Sequence, residues 1–239
     1  DEMAALKMNV FQWHLTDDQG WRLQITRYPA LTKAGAVVEG ATEQHAFYSH
    51  EEIAGIVKYA KERHITIIPE IEMPGHASAA IAAYPWLGTE KKPIELPAGF
   101  GIFDNIYDVA NPAVISFIHH VLDEVISLFP SGIIHIGGDE VKYDHRKNND
   151  QVQDFMKKNN LATPAALQHC FTNGISRYLH KKGYRMMGWN EIMDSHAGGD
   201  SAGAGSEQKL SPGTIVQFWL GNPNLINEAA MKGYDVVNS

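Results

Sequence analysis

The sequence predicts an α/β chain folded as a (β/α)8-type TIM barrel, and three observations carry that prediction. Six short apolar segments, rich in β-branched or aromatic residues, alternate with amphipathic helical patterns, which is the grammar of parallel βαβ units. Five of these segments end in polar, aromatic and glycine-bearing stretches: HLTDDQGWR, EIEMPGH, HIGGDEV, GWNEI and QFWLGN. A barrel gathers its βα loops around one mouth, whereas an open doubly wound sheet concentrates its site at a switch point. Third, neither GxGxxG nor GxxxxGK[ST] occurs, which counts against the nucleotide-binding open sheets.

The elements follow in order. Residues 1–10, DEMAALKMNV, read as the last turns of a helix running straight into a strand, and they lack the basic flank and apolar run of a signal peptide. The first strand is placed at Met8 to Leu15. Ser49 and Glu52 form a capping box ahead of Ile53, Ile56, Val57 and Ala60 at helical spacing. The second strand is Ile65 to Ile71. Asn111-Pro112 opens a helix running to about Phe129 with Val114, Ile118, Val121, Leu122 and Val125 inward. Ile133 to Ile136 follows, then a helix opened by Thr163-Pro164 and ending near Lys182. The last three strands are Arg185 to Trp189, Thr214 to Trp219 and Tyr234 to Val237, with the low-complexity stretch Ala197 to Gly205 as a loop between the first two.

The bulk numbers bound the possibilities. At 239 residues, 44% hydrophobic and 20% charged, the chain fits one globular unit, taken as residues 1–239 with no accessory domain. Its net charge is −8, and the Lys and Arg residues are scattered, so no nucleic-acid partner is expected. No run of about 18 apolar residues marks a membrane span. The single cysteine, Cys170, sits in an apolar helical pattern and reads as core filler.

The loaded strand ends carry the chemistry. Asp139 and Glu140 are neighbours, and side chains that diverge from a shared backbone are poorly placed to flank one scissile bond as a nucleophile and acid pair about 5 Å apart. A division of labour fits better: one acid serves the leaving-group oxygen, the other a neighbouring part of the substrate. Gly137 and Gly138 read as room for a ligand that approaches the backbone. Asp17 and Asp18 serve equally well as turn or cap residues or as site acids. Glu70, Glu72 and His76 put carboxylates and an imidazole together, the means of relaying or tuning a proton. His14, His76 and His135 lie on different strands with no HExxH or CxxC, so no metal site is expected. His119 and His120 lie within a helix and read as structural. Trp189 and Trp219 end apolar strands and supply aromatic walls that suit the C–H faces of sugar rings. Acids and tryptophans without a cofactor motif read as hydrolysis of a carbohydrate.

The segments KMNVFQWHLTDDQGWRLQI, IIPEIEMPGHASA, HIGGDEV, MMGWNEI and TIVQFW occur in the order and approximate spacing of the glycoside hydrolase family 20 β-N-acetylhexosaminidases, which the whole chain resembles. The resemblance implies an exo-acting, retaining reaction on terminal N-acetylglucosamine or N-acetylgalactosamine, in which the substrate's own 2-acetamido oxygen attacks the anomeric carbon. It implies Glu140 as general acid and base, Asp139 as the group orienting and stabilising the acetamido group, and Trp189 and Trp219 as the acetamido pocket. It implies Asp17 and His76 as partners that position or tune the acid, with Glu72 and His135 behind them, and no cofactor or metal. The expected partner is an N-acetylhexosamine-terminated oligosaccharide or glycoconjugate, which places the protein in a secreted, periplasmic or lysosomal setting. A family barrel opens with an arginine-bearing strand and closes with further sugar-binding residues that have no counterpart here. The chain is therefore expected to hold about strands two to seven of eight, an incomplete barrel unstable or inactive alone. A sugar-binding fragment, or a member releasing a disaccharide such as lacto-N-biose, are the competing expectations.

Overall fold

A computed structural model describes residues 1–36, 46–147, 149–193 and 210–239. Its strands are β1 (Val10–His14), β2 (Thr16–Asp17), β3 (Gly20–Trp21), β4 (Thr66–Glu70), β5 (Ile133–His135), β6 (Arg185–Trp189), β7 (Ile215–Phe218) and β8 (Asp235–Asn238). Its α-helices are α1 (Glu2–Ala5), α2 (His50–Lys61), α3 (Ser78–Ala83), α4 (Pro112–Leu128), α5 (Asp144–Lys147), α6 (Asp150–Lys158), α7 (Pro164–Lys181) and α8 (Asn224–Met231). Six strands form one sheet in the order β1-β4-β5-β6-β7-β8, every pair parallel. The sheet curls into part of a (β/α) barrel, as the alternation of strands and helices predicts.

The predicted helix starts are real caps. Ser49 and Glu52 make both bonds of a capping box, Asn111 accepts from Ala113 N, and Thr163 accepts from Ala166 N ahead of Pro164. Val114, Ile118, Val121, Leu122 and Val125 are all buried along α4. On α2 the predicted stripe divides: Ile53 and Ala60 are buried, while Ile56 and Val57 are half-buried against the core. Cys170 is half-buried on α7 rather than filling the core. His120 Nδ1 lies 2.9 Å from the Tyr28 hydroxyl, and His119 stacks on the Tyr178 ring, so both have structural partners. The segment Ala197 to Gly205 lies outside the described residues. Among the described residues no helix is long and apolar enough to cross a membrane.

Strand alternation sorts the sheet into two faces. Ile67, Ile134, Met186 and Val216 join the large core beneath the helices. Their neighbours Ile68, Ile133, Met187 and Ile215 form a separate cluster on the other face, the barrel interior. One step further along each strand, the same interior face turns polar. Register aligns His14 with Glu70, Glu70 with His135, and Trp189 with Gln217. The barrel interior thus has an apolar floor and a polar layer at the C-terminal ends of the strands.

Several elements were not legible in the sequence, two of them at the site. Within HLTDDQGWR the chain makes a tight antiparallel hairpin, pairing Thr16 with Trp21 and Asp17 with Gly20. Two-residue strands leave no periodicity to detect. The other is α3, which follows His76 directly and buries Ser78, Ala79, Ala80 and Ile81; six residues, mostly alanine, show no amphipathic pattern.

Candidate active site

Glu70, at the end of β4, organises the floor of the mouth. It is buried, and it accepts hydrogen bonds from Gln12 Nε2 at 2.7 Å and from Trp189 Nε1 at 3.0 Å. His135 Nδ1 lies 3.1 Å from the same oxygen that Trp189 reaches. Burial alone would raise the Glu70 pKa, but His135, His14 and Gln12 together outweigh it and bring the carboxyl down to about 2. A fixed carboxylate therefore pins the indole of Trp189, and the His135 ring packs against that indole edge-on at 5.0 Å. Trp219 stands 5.9 Å from Trp189 with the ring planes 59° apart. Its indole N–H bonds both carboxylate oxygens of Glu191, at 3.2 and 3.1 Å, and Asn190 Oδ1 accepts from its backbone N–H. Burial raises the Glu191 pKa; the Trp219 bond opposes that rise, while Asp139 and Glu140 add to it.

His76 ties the acids together. Its Nδ1 lies 3.0 Å from Asp17 Oδ1 and 3.3 Å from Asp18 Oδ2, and its Nε2 lies 3.6 Å from Asp139 Oδ2 and 3.5 Å from Glu140 Oε2. Burial disfavours the imidazolium, yet the surrounding carboxylates of Asp139, Asp17 and Asp18 prevail and raise its pKa far above the ordinary value. The ring lies between two pairs of carboxylates. Burial would likewise raise Asp17, but the hydrogen bond from His76 holds its carboxyl below the usual range. Asp18, the more buried acid of its pair, accepts from the backbone N–H and hydroxyl of Ser78 at the start of α3.

Asp139 and Glu140 differ as their adjacency predicts. Asp139 is 13% exposed and Glu140 28%. Glu140 sits in the left-handed backbone region at φ 50°, as His76 does at φ 48°; non-glycine residues there mark sites where geometry is held against strain. Burial and then the Asp139 charge push the Glu140 pKa up, with His76 pulling the other way.

Beneath the pair, Glu72 is buried and meets His14 Nε2 at 3.3 Å. Burial pushes the Glu72 carboxyl well up. His14, which burial alone would lower, is raised to about 9 by Glu72, Glu70 and Asp17. The two glycines ahead of Asp139 are required by the protein itself. A Cβ on Gly137 would fall 1.7 Å from Glu72 Oε2, and one on Gly138 would fall 2.6 Å from Ile192 Cγ2; both backbones have positive φ, 64° and 94°. Gly137→Ala is expected to cost about 2–5 kcal/mol by combining a left-handed L-residue with a buried overlap. A lowered denaturation midpoint in the full-length protein would show this, and an unchanged one would refute it.

The structure thus brings Asp17, His76, Asp139 and Glu140 into one cluster, Glu72 beneath it, and Trp189, Trp219 and His135 alongside. Glu191 was not singled out in advance, although the carboxylate in WNE was an available signal; Glu70 and Asp18 stood out only as strand-end acids, without the roles of holding the Trp189 indole and accepting from Ser78. Among the described residues, three groups have ligand-type atoms within 4.8 Å of one another: His14 with Glu70 and Glu72, His76 with Asp17 and Asp18, and His76 with Asp139 and Glu140. The distances are equally those of imidazolium–carboxylate pairs.

Parallel strands that curl and deliver their charged ends to one mouth define a (β/α)-barrel catalytic domain. The entire chain, residues 1–239, matches the model of the glycosyl hydrolase family 20 catalytic domain, and it belongs to that family. It is 41% identical over 239 residues to a β-hexosaminidase of Porphyromonas gingivalis, an alignment spanning 99% of this chain and 29% of that protein. Among solved structures, a β-N-acetylhexosaminidase from Bacteroides fragilis superposes with a TM-score of 0.85 at 35% identity, over 99% of this chain and 45% of the other. An exo β-N-acetylglucosaminidase from Vibrio harveyi, solved with N-acetylglucosamine, gives 0.80 at 33% identity, over 99% and 37%. The chain spans less than half the length of these relatives.

Proposed function

We propose that the protein carrying this chain removes terminal β-linked N-acetylglucosamine or N-acetylgalactosamine with retention, assisted by the substrate's acetamido group. The observation that carries this reading is the placing of Asp139 and Glu140 on one imidazolium, 3.6 and 3.5 Å from His76 Nε2, with the Glu140 pKa raised. In the first step Glu140 protonates the glycosidic oxygen as the acetamido oxygen bonds to the anomeric carbon and the carbon–oxygen bond to the leaving group breaks. Asp139 accepts the acetamido N–H and stabilises the positive charge that builds on the nitrogen. Water then attacks the anomeric carbon, its proton passing to Glu140, and the acetamido group is regenerated. Trp189 and Trp219 wall the acetamido methyl. His76, kept charged by Asp17 and Asp18, limits how far Asp139 can raise Glu140. The names of the relatives support this substrate class.

The pH profile tests the acid. The first step needs protonated Glu140, so activity is lost as pH rises through its pKa, and a raised pKa moves that loss upward. With the full-length protein and an aryl N-acetyl-β-glucosaminide, kcat/KM is expected to hold above the ordinary glutamate value of about 4.3 before falling. A fall centred at or below that value, or no turnover, would remove Glu140 from this role.

A further inference from the structure

Between His76 and the acid pair runs a long excursion that the proposed mechanism leaves unused. After the 3₁₀ turn Pro85–Leu87, residues 88–111 reach the N-cap of α4 with only an isolated bridge, Gly88 to Tyr107, as regular pairing. Connections of this length without helix or strand are uncommon in compact domains and usually functional. The loop is tied to residues beside Asp18 on one side and beyond Glu140 on the other. Gln19, next to Asp18, donates through Nε2 to Gly99 O at 3.1 Å. Lys142, two positions beyond Glu140, donates through Nζ to Ile102 O at 2.8 Å and pairs with Asp104 at 3.0 Å. Asn105 Nδ2 donates to the Ser78 hydroxyl at 3.2 Å, and that hydroxyl serves Asp18. Between the tethers at Gly99 and Ile102 stands Phe100, 106% exposed, with Ile102 beside it also open to solvent.

An anchored loop that holds a large apolar ring fully in water, at the rim of a charged site, fits a surface awaiting a cover. We propose that Phe100 is the stacking platform for the leaving-group sugar, the residue released when the terminal N-acetylhexosamine is cut off; this rests on the hydrolase reading above. Glu140 must reach the glycosidic oxygen, so the leaving residue lies on the open side of Glu140, the more exposed acid of the pair. The Lys142 tether brings the loop to the segment that carries Glu140. A pyranose ring offers a C–H face that packs on an aromatic ring, and the loop's backbone and Lys142 can meet its hydroxyls. The platform therefore selects for sugar or other ring-bearing leaving groups over small ones.

The test compares wild type and Phe100→Ala in the full-length protein on N,N′-diacetylchitobiose and on N-acetylglucosaminyl fluoride, whose leaving group is too small to stack. The expected result is a fall of about 3- to 10-fold in kcat/KM for the disaccharide, the worth of one aromatic stack. The fluoride should change by less than about twofold, and Phe100→Trp should restore the disaccharide value. Equal disaccharide rates in wild type and Phe100→Ala would overturn the platform, as would an equal loss on both substrates, the mark of a structural residue. A wild type that cleaves neither substrate overturns the hydrolase reading and the platform with it.

Discussion

Glu140→Gln in the full-length protein is expected to lower kcat/KM for an unactivated N-acetyl-β-hexosaminide by about 10²–10⁴-fold, the usual worth of a positioned general acid. The amide has the size of the carboxyl, and the side chain is partly exposed, so the fold should persist. What disappears is the proton. Burial and the Asp139 charge give Glu140 a pKa above the ordinary carboxylate range, and glutamine has no proton to transfer in that range. The loss should shrink with leaving groups that depart without protonation, such as fluoride, because only the acid role fails in the first step. A variant that retains full activity on the unactivated substrate would remove Glu140 from the mechanism.

Asp139→Asn is expected to cost about 10²–10³-fold in kcat, the scale of removing one preorganised charge from a developing ion. Asparagine retains a carbonyl to accept the acetamido N–H, but it carries no charge to offset the positive nitrogen of the cyclised intermediate. The change carries a second signature. The Asp139 charge is the largest influence after burial in raising Glu140, so its removal lowers the Glu140 pKa and shifts the alkaline loss of activity to lower pH. His76 faces both acids through Nε2 and pulls Glu140 down in wild type and variant alike, so the shift is set by the lost Asp139 charge. Residual activity with an unmoved pH profile would contradict the coupling between the two acids. Circular dichroism matching the wild type would separate either outcome from misfolding.

The barrel was legible in the sequence because its determinants are local. β-Branched runs mark the strands, and Ser49, Asn111 and Thr163 announce helix starts through bonds made within three residues. The site was legible in part. Asp139, Glu140, His76 and Asp17 stand out as charges at strand ends, and the structure gathers them around one imidazole. The supporting layer was harder, because it depends on register between strands distant in sequence. That Glu70 lies level with His14 and His135, and so fixes Trp189, follows from parallel pairing that no local pattern encodes. The glycines of HIGGDEV show the same limit. Their need was evident, but its cause, the Glu72 carboxylate and the Ile192 side chain against the turn, comes from elsewhere in the chain. The exposed Phe100 sits in a segment without periodicity, and only its tethers to Gln19 and Lys142 relate it to the acids.

The central claim is that Asp139 and Glu140 work on a substrate that supplies its own nucleophile. Its most direct test is the rate of the full-length protein on two aryl β-glycosides that share one aglycone, one built on N-acetylglucosamine and one on glucose. An intramolecular nucleophile is worth orders of magnitude over an external one, so the acetamido glycoside is expected to react at least about 10³-fold faster. Comparable rates on the two glycosides would contradict substrate assistance and return the site to a protein nucleophile.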